Sequence, residues 1–514
     1  MAELFSTAFA NLMTGTNIFL MLVGVVVGII FGCVPGLSAA MAIALFLPVT
    51  FGLPQYSAFA LLMALYIGGV SGSLISAILI NVPGSSQSIA TCYDGHPMAV
   101  KGEAHRALGT GMLFSFIGTM FSLVILIFAA PVIADYAVKL GHFEFFSLVT
   151  FALVLIICIC GGNIVKAILA GLLGMATTFV GIAPVDSIPR FTFGTVSLMD
   201  GFTLLPMVIG MFAVTTIMGR AAKPIGTGIE DKLPYKRGRG FGFSFKEFLG
   251  QTKNWVLSAV IGVFIGFLPG MGGSLANQLA YATVKKASKY PEKFGTGIMD
   301  GVVASETSNN ASIGGAMIPL LALGIPGDGP TAMLLGAFMI QGLSAGPLLF
   351  TTNADLCYVI FVAMGICTAL MLLVEYFGIP LFLQTLKIPQ GILLPVIVML
   401  FLVRAYPSPY PVFSVSTLFL FGPFRSLFCP APVPGRSEEH TSALQSLTTL
   451  VCRLLLETKK YYLYTPLFPP HHSHLSPSYL THPSLNFTYY LFSTFTFPIP
   501  LNIHSPSLPP SLLP

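Results

Sequence analysis

An apolar stretch between residues 295 and 350 is interrupted by residues that a membrane helix rarely carries. Glu306, Asn309 and Asn310 lie in its first part, and Pro326-Gly327 breaks the helix that follows them. A carboxylate near the bilayer centre costs about 2.5–3.5 kcal/mol on insertion scales, so it should face protein or a water-filled cavity. Irregular backbone at membrane depth is tolerated only in the same surroundings. Polar side chains beside a broken helix therefore predict the binding centre of a transport protein.

Composition places most of the chain in a membrane. Of its 514 residues, 55% are hydrophobic and 8% are charged, and the mean hydropathy is +0.85, whereas a soluble domain carries about 25% charged residues. The sequence predicts an all-α polytopic membrane protein with about a dozen transmembrane segments, several of them half-length. The net charge of +5 is small, and no basic patch carries interleaved aromatic residues, so nucleic acid is not an expected partner.

The order of the apolar runs predicts four regions. Residues 1–219 form a first membrane repeat, and residues 220–253 form a basic cytoplasmic loop. Residues 254–403 form a second, C-terminally incomplete membrane repeat, and residues 404–514 form a tail rich in proline and histidine. Residues 93–106 carry mixed charges and predict a solvated loop. The ordinary spans are expected at 108–134, 145–160, 164–182, 202–218, 356–377 and 392–403.

Two motifs recur in the same order in the two membrane regions. GIIFGCVPGLSAAMA (28–42) and GVFIGFLPGMGGSLA (262–276) share the pattern G-x3-G-x2-P-G, and all four matched positions have the same offset. YIGGVSGSLISAILINVPG (66–84) resembles ASIGGAMIPLLALGIPG (311–327), with the Gly-Gly doublets matched and a short difference in length. We infer an internal duplication, and paired broken segments in corresponding positions of two halves point to a transporter binding site.

Charge around the two breaks predicts that the repeats are inverted. The helix leading to Pro269 begins beside the loop 220–253, which holds eight Lys or Arg and three Asp or Glu. Such a loop should be cytoplasmic by the positive-inside rule. The helix leading to Pro35 begins beside a lead that has no Lys or Arg. A cytoplasmic location for residue 1 would contradict this orientation.

Helix ends and polar side chains around the breaks form the predicted site. Half-helix N-termini present free N–H groups that suit a carboxylate, while unwound carbonyls and amide oxygens suit Na⁺. Na⁺ is therefore expected at Asn309, Asn310 and the carbonyls of the Pro-Gly loops. The candidate residues for substrate or ion are Pro35, Gly36, Ser38, Asn81, Pro269, Gly270, Gly272, Gly273, Ser274, Glu306, Asn309, Asn310, Pro326 and Gly327. Ser85, Ser86 and Ser88 are weaker candidates.

Each of these features has a structural alternative. The Pro-Gly pairs could be tight turns, and the two asparagines could make interhelical hydrogen bonds. Glu306 could pair with a lysine such as Lys285 or Lys289. A passive pore is the second functional class, although a pore would need a continuous polar lining and this chain offers only local polar islands.

An enzyme is not expected. Asp94 and Asp328 faintly resemble the aspartate pair of an intramembrane aspartyl protease, whose like charges share a proton at close range. Both residues are predicted to lie in loops, and Ile325 stands where the protease motif GxGD requires glycine. HExxH and Walker A motifs are absent from the sequence, so neither metalloprotease chemistry nor ATP-driven pumping is indicated.

Four long motifs together carry a family resemblance. They are GCVPGLSAAMAIALFLPVTFGL (32–53), LINVPGSSQSIATCYDGHPMAVKGEAHRALG (79–109), GFLPGMGGSLANQLAYATVKKASKYPEKFGTG (266–297) and SETSNNASIGGAMIPLLALGIPGDGPTAMLLGAF (305–338). These motifs resemble the TctA family, the large membrane subunit of bacterial tripartite tricarboxylate transporters. The resemblance covers about residues 10–403, and Ser308 departs from the alanine that is common in the family.

The resemblance implies a multi-pass protein of the bacterial inner membrane that works as a secondary transporter. It implies symport of citrate or another carboxylate with Na⁺ or H⁺, and no cofactor beyond this coupling ion. It also implies two protein partners, a small membrane subunit of the TctB type and a periplasmic binding protein of the TctC type. The sequence leaves open which carboxylate is carried, which ion drives it, and the oligomeric state.

The tail differs from the rest of the chain. Residues 406–514 hold 18 of the 38 prolines and 6 of the 9 histidines, but only 2 of the 52 glycines. Proline removes a backbone donor and clashes with the preceding helical turn, so its dense tracts cannot be helical. RSEEHTSALQS (436–446) resembles a translated sequencing-adapter read. We therefore expect a frameshifted or chimeric end rather than a further domain.

Overall fold

The structure is a computed structural model that describes five main stretches of the chain. They are residues 2–35, 37–141, 164–182, 188–199 and 240–385. Isolated residues are described between 143 and 154 and at 201, 202, 207, 238, 416, 417 and 420. The predicted spans 145–160 and 202–218 and the predicted loop 220–253 lie mostly outside the described residues. Residues 392–403 lie wholly outside them, and so does nearly all of the tail 404–514.

The described part of the N-terminal half, residues 1–219, is mainly helical. Its α-helices are α1 (Ala2–Leu12), α2 (Gly15–Cys33), α3 (Ala39–Phe46), α4 (Gln55–Ser71), α5 (Ser73–Ile80), α6 (Ile89–Met98), α7 (Ala104–Ala137) and α8 (Ile164–Thr178). Short 3₁₀ turns cover Leu47–Gly52, Ser86–Ser88 and Val196–Leu198. A two-residue antiparallel pair joins β1 (Gly181–Ile182) to β2 (Pro189–Arg190).

The described part of the C-terminal half begins at residue 240 and is mainly helical. Its α-helices are α9 (Phe245–Gly250), α10 (Thr252–Phe267), α11 (Gly272–Ala287), α12 (Met299–Leu323), α13 (Gly329–Ile340), α14 (Leu349–Thr352) and α15 (Ala354–Thr385). A 3₁₀ turn covers Pro291–Lys293. Breaks fall between α10 and α11 and between α12 and α13, at the two predicted Pro-Gly positions.

Four segments of the described chain are long and apolar enough to cross a membrane. They are Gly15–Cys33, Gln55–Ile80, Ser86–Ala137 and Ala354–Gln384, and shorter apolar helices cover Ala39–Gly52, Thr252–Phe267 and Gly329–Ile340. The all-α membrane class is confirmed. The predicted total of about a dozen segments remains a prediction, because several of those segments lie outside the described residues.

The predicted solvated loop at residues 93–106 is wrong. Helix α6 continues to Met98, a π-helical turn covers Ala99–Glu103, and α7 begins at Ala104. Gly102 turns the chain with φ 85°. The charges of this segment misled the prediction, because the side chain of Asp94 is fully buried and bonded to residues some 200 positions away.

Helix α2 packs closely on α4 through glycines that stand one turn apart. An added Cβ at Gly28 would lie 2.7 Å from the carbonyl oxygen of Leu65, and one at Gly24 would lie 2.7 Å from Cβ of Ala64. Helix α10 packs on α12 in the same way, through Gly262 against Ser308 and Gly266 against Ser312. Small residues at such positions let two backbones approach.

Several glycine contacts in the two halves match at constant offsets. A Cβ at Gly72 would meet Ile29, and one at Gly315 would meet Val263, which is the counterpart of Ile29 at the offset of the first motif. Gly315 is therefore the counterpart of Gly72. The second motif corresponds without any difference in length, and the predicted pairing of the two Gly-Gly doublets is wrong. The register follows from what each glycine touches on the preceding helix.

The offset between Gly72 and Gly315 also holds at the end of the second motif. Asn81 ends α5 in the left-handed conformation with φ 53°, and Gly324 ends α12 in the same conformation with φ 74°. Added Cβ atoms at Gly84 and Gly327 would meet the carbonyl oxygens of Gly32 and Gly266, respectively. Asparagine and glycine are the residues that tolerate this backbone region best.

The two halves interlock around the breaks. Helix α6 of the N-terminal half lies against α11 and α12 of the C-terminal half, while α13 lies against α3. Helix α15 packs on α4, α1, α2 and α7, and α12 packs on α7. The breaks from both halves are thereby brought to one place.

Candidate functional site

A cavity of about 60 Å³ lies where the broken segments of both halves meet. Its described lining residues come from the break before α3, the turn before α6, the break before α11 and the turn before α13. They are Ser38, Ala39, Ala40, Ser85, Ser86, Gln87, Gly270, Met271, Gly272, Gly273, Ser274, Asp328, Gly329 and Pro330.

Four helical segments begin at this cavity. Ser38 caps α3 by accepting a hydrogen bond from the N–H of Met41 at 3.3 Å, and Asp328 caps α13 by accepting from the N–H of Thr331 at 2.9 Å. Helix α11 begins at Gly272, and the turn Ser86–Ser88 leads into α6. Helix N-termini carry free N–H groups and a partial positive charge. Their convergence favours an anion, although the described lining has no Lys or Arg.

Glycine permits the backbone path of the break before α11. Gly270 and Gly272 have φ 81° and 52°, a region that side chains with a Cβ rarely adopt. The N–H of Gly270 donates to the carbonyl oxygen of Gly327 at 2.9 Å, which ties this break to the second Pro-Gly pair. An added Cβ at Gly272 would lie 2.6 Å from Cβ of Asp328. The cavity wall is therefore made of closely packed backbone.

A direct hydrogen bond joins the two halves across the cavity. The hydroxyls of Ser86 and Ser274 lie 2.7 Å apart. Each hydroxyl can act as donor or acceptor, so the pair can exchange this bond for one to a ligand oxygen. Ser274 was predicted as a site residue, and Ser86 was among the weaker candidates.

Asp328 is the one acidic residue of the described lining, and its oxygens are already engaged. One oxygen accepts from the N–H and the hydroxyl of Thr331, and the other accepts from the hydroxyl of Tyr66 at 2.7 Å. Its position at the N-terminus of α13 compensates part of the charge. The aspartate thus fixes α13 against α4. This role of Asp328 could not be predicted from the sequence, because its partner Tyr66 lies 262 positions away.

A buried polar cluster adjoins the cavity at the middle of α12. Glu306 is fully buried and accepts hydrogen bonds from the hydroxyls of Thr91 and, at 3.2 Å, of Ser115. The amide nitrogen of Asn310 donates to the Ser115 hydroxyl at 2.8 Å and to the carbonyl oxygen of Glu306 at 3.1 Å. The alternative pairing of Glu306 with a lysine is wrong, since the ion pairs of the described residues all involve Arg106.

Two amide oxygens of this cluster lack a donor. The side-chain oxygens of Asn309 and Asn310 are buried and accept no hydrogen bond from the described residues. A Cβ at Gly273 would lie 2.5 Å from the Asn309 oxygen, so this oxygen reaches the cavity wall. Buried acceptors without donors are costly, and a cation would satisfy them. The described residues hold no group of three His, Cys, Asp or Glu side chains that suits a metal ion.

The predicted residues divide into three groups and two residues that belong to none of them. Ser38, Gly270, Gly272, Gly273 and Ser274 line the cavity, and Glu306, Asn309 and Asn310 form the adjoining cluster. Pro35, Pro269, Pro326 and Gly327 shape the breaks without being among the described lining residues, and Gly36 lies outside the described residues. Asn81 is exposed and ends α5, so its side chain is not brought to the site.

A second polar network between the halves was missed by sequence reasoning. Asn277 accepts from the N–H of Ala90 at 2.8 Å and donates to the carbonyl oxygen of Ser305 at 3.2 Å. Tyr281, one turn later on α11, donates to Asp94 at 2.8 Å. The spacing of Asn277 and Tyr281, which places both on one face of a helix, was the only sequence signal available.

The two aspartates of the protease alternative serve separate networks. Asp94 accepts from the N–H groups of Gly295, Gly297 and Ile298 and from the hydroxyl of Tyr281. Asp328 is bound to Thr331 and Tyr66. A catalytic pair would share a proton directly, and these contacts give each carboxylate a structural role instead.

Comparison with known proteins places the chain in a transporter family. The sequence profile described as "Tripartite tricarboxylate transporter TctA family" matches residues 18–428, which extends beyond Val403, where the resemblance was predicted to end. The chain is 33% identical over 420 residues to an "Uncharacterized 52.8 kDa protein in TAR-I ttuC' 3'region" of Agrobacterium vitis. That match covers 81% of this chain and 83% of the relative.

A second Agrobacterium vitis relative, "Uncharacterized protein in TAR-II ttuC' 3'region", is 36% identical over 157 residues, which cover 30% of this chain and 65% of the relative. No solved structure matches the chain. The family profile covers most of the sequence and includes both helix breaks and the polar cluster of α12. The chain therefore belongs to the tripartite tricarboxylate transporter TctA family.

Proposed function

We propose that this protein is the large transmembrane subunit of a binding-protein-dependent secondary transporter that takes up tricarboxylates or related carboxylates with an ion gradient. The observation that carries the proposal is the cavity at which four helical segments begin. Because the described lining offers N–H groups and hydroxyls rather than Lys or Arg, recognition of a carboxylate would rest on helix N-termini. Membership of the TctA family supports this substrate class.

The coupling cation would bind beside the substrate. The amide oxygens of Asn309 and Asn310, together with the carboxylate of Glu306, form an oxygen-rich cluster whose Asn309 oxygen reaches the cavity wall at Gly273. Such oxygens suit Na⁺. A cation here would place positive charge close to an anionic substrate, which gives a direct electrostatic reason for binding the two together.

Alternating access would follow from two inverted repeats. The matched contacts at constant offsets support a duplication, and the interlocked breaks put one binding element from each half at the same cavity. Rocking of one half against the other about a central site is the mode that such repeats support. A passive pore is the weaker candidate, because a pore would need a continuous polar lining, whereas the described polar groups line a local cavity of about 60 Å³ that the Ser86–Ser274 hydrogen bond crosses.

The partners and the location follow from the family rather than from contacts. We propose a small membrane subunit of the TctB type, and a periplasmic binding protein of the TctC type that delivers the carboxylate. The protein would be a multi-pass component of the bacterial inner membrane and would need no cofactor apart from the coupling ion.

Transport by proteoliposomes tests the proposal. The full-length chain is reconstituted with both partner types, and uptake of labelled citrate and other di- and tricarboxylates is followed with and without an inward Na⁺ gradient. We expect binding-protein-dependent uptake that the gradient accelerates, and carboxylate counterflow in the absence of any gradient. Uptake that merely equilibrates, with no counterflow, would favour a pore.

A variant series locates the cation. Asn309→Ala and Asn310→Ala should lower the apparent affinity for Na⁺ by about tenfold or more, in the range seen when groups around a metal are removed. Asn353→Ala, on the linker between α14 and α15 and outside the cavity lining, is the matched control. An unchanged Na⁺ dependence in both variants would return the asparagines to a structural role.

A further inference from the structure

We propose that Glu375 is a proton-carrying residue, so that H⁺ is a coupling ion of this transporter, taken at a site separate from the oxygen cluster around Asn309. The inference rests on the proposed function and names one of its driving ions. Glu375 lies on α15, which belongs to a segment long and apolar enough to cross a membrane. Placing an ionisable carboxyl group inside a membrane segment costs free energy, so such a residue is a functional candidate.

The surroundings of Glu375 do not compensate a negative charge. Its side chain is fully buried, and neither carboxyl oxygen accepts a geometrically sound hydrogen bond from the described residues. The hydroxyl of Ser71 lies next to it and has no other partner among those residues. The charge of Glu306 also acts on Glu375, and this interaction is repulsive. An ionised carboxylate would be strongly disfavoured there.

The charged and titratable groups described below, on helices packed against α15, either are exposed to solvent or bond to residues other than Glu375. Glu3 of α1 and Asp135 of α7 are exposed. Arg106 of α7 pairs with Glu103 and Glu247, while His105 contacts the carbonyl oxygen of Gly240. Tyr56 and Tyr66 of α4 bind Asp355 and Asp328. None of these groups supplies a positive charge to Glu375.

A proton fits this place better than a metal cation. A dehydrated cation needs several oxygen ligands, whereas the described group beside Glu375 is the Ser71 hydroxyl, and the backbone carbonyls of the surrounding helices are committed to helical bonds. A neutral carboxylic acid needs one acceptor, and the Ser71 oxygen can be that acceptor. The O–H bond of the acid breaks when water reaches it from one side of the membrane, and the carboxylate takes a proton from water on the other side.

The position of Ser71 links this acid to the candidate site. Ser71 stands three residues before Leu74, so the two side chains share a helix face. A Cβ at Gly111 of α7 would lie 3.5 Å from the Leu74 side chain and 3.6 Å from Cγ of Glu306. Rearrangement of α4 and α5 against α7 would therefore change the surroundings of Glu375 and Glu306 together, which is the requirement for coupling.

Two measurements on the full-length protein test the inference. In the first, infrared difference spectra of purified protein between acidic and alkaline pH should contain a carboxylic-acid C=O band that Glu375→Gln removes. The matched control Glu3→Gln should leave this band in place. A spectrum of Glu375→Gln that is identical to that of the unaltered protein would overturn the proposal, whether or not transport is active.

In the second measurement, proteoliposomes are assayed for accumulation of labelled citrate driven by an inward pH gradient and for citrate counterflow. Glu375→Gln, which mimics the neutral acid, should lose about tenfold or more of the driven accumulation, within the usual range of coupling free energies, while counterflow continues. Glu375→Asp should restore part of the driven accumulation. Full pH-driven accumulation by Glu375→Gln would overturn the inference, whereas absence of counterflow in the unaltered protein would overturn the proposed function instead.

Discussion

At the scale of single residues, the carboxylate of Asp94 holds the loop between α11 and α12 in place. One of its oxygens accepts from the N–H groups of Gly295, Gly297 and Ile298 at 2.8–3.1 Å. The other accepts from Tyr281 at 2.8 Å. Backbone N–H groups in a helix bond to carbonyls of the same helix, whereas those in a loop need other acceptors. The buried carboxylate of Asp94 supplies these acceptors to the loop.

Removal of this carboxylate should destabilise the protein. Asp94→Ala leaves the buried Tyr281 hydroxyl and three partly buried N–H groups without their acceptor. We expect a loss of about 3 kcal/mol of stability, because a buried donor without a partner costs about 1–3 kcal/mol. Thermal unfolding followed by a thiol-reactive dye measures the change, since Cys357 and Cys367 are buried. Asp135→Ala on the exposed face of α7 is the control, and equal melting temperatures for the two variants would contradict the assignment.

Glu247 carries a prediction about pH, because it lies outside the membrane-spanning segments. Hydrogen bonds from the N–H and the hydroxyl of Ser244, and then the charge of Arg106, lower the pKa of the Glu247 carboxyl below its ordinary value. The ionised form is thus favoured in the folded state, so its contribution to stability is present above the unfolded pKa and is lost as pH falls through the folded pKa. The contribution is small, since the pair is solvent-exposed.

Carbon-13 NMR of glutamate-labelled protein checks this shift. The Glu247 resonance, assigned by its loss in Glu247→Gln, should titrate below about 4.3, the ordinary value for glutamate. Ser244→Ala should raise the midpoint toward that value. A midpoint that Ser244→Ala leaves unchanged would contradict the capping interaction.

Residue chemistry was only partly readable from sequence. Glu306, Asn309 and Asn310 were predictable, because polar groups inside an apolar run must find partners in the membrane. Asp94 was not, because its mixed-charge surroundings resemble a solvated loop and its partners lie about 200 positions away. Asp328 was missed as a cavity residue for the same reason, since only folding brings Tyr66 to it.

At the scale of helices, glycine spacing sets how closely the membrane segments approach. Gly28 of α2 faces backbone atoms of α4, including the Leu65 oxygen 2.7 Å from where a Cβ would stand. Gly15, at the start of the same helix, has nothing within 4 Å of that position. The two glycines therefore offer a matched pair in one helix.

Substitution of these two glycines by alanine should change the stability of the protein by different amounts. Gly28→Ala forces α2 and α4 apart and should cost about 1–3 kcal/mol, as overpacking does, whereas Gly15→Ala should be close to neutral. Thermal unfolding of both variants in the same detergent measures the difference. A stability loss for Gly15→Ala as large as that for Gly28→Ala would contradict the packing.

Helix breaks were predictable and the register of the repeat was not. Pro-Gly pairs end helices for local reasons, so the breaks at Pro269 and Pro326 follow from sequence. The correspondence of Gly72 with Gly315 depends on contacts with Ile29 and Val263 on another helix. Aligning the two repeats by their Gly-Gly doublets shifts this correspondence, because identical residues in the two repeats need not make equivalent contacts.

At the scale of the whole molecule, the proposed inversion of the two halves is open to a direct topological test. Gly15 begins α2 and Thr252 begins α10, and both residues are exposed. If the halves are inverted, the Gly15→Cys and Thr252→Cys variants should react with a membrane-impermeant maleimide from opposite sides of the membrane. Labelling of both from the same side would contradict inversion and leave a parallel repeat.

The all-α membrane class could be predicted from composition, because a chain with so few charged residues is suited to a lipid bilayer rather than to water. The interlocking of α6 with α11 and of α13 with α3 could not, because it depends on which broken segment crosses to the other half. That crossing is what makes a single cavity from two separate breaks. Sequence reasoning therefore predicted several residues of the candidate site, but not how the two halves come together to form the cavity.

Protection of the cavity by substrate tests the central claim most directly. The Ser86→Cys variant, in a background with Cys92→Ser, is labelled with a maleimide in proteoliposomes with and without saturating citrate or related carboxylates. Occupancy should slow labelling by about tenfold, since only the free form reacts, while the Gly250→Cys variant outside the cavity should be unaffected. Equal labelling rates with and without every carboxylate tested would contradict a substrate site between the converging helix N-termini.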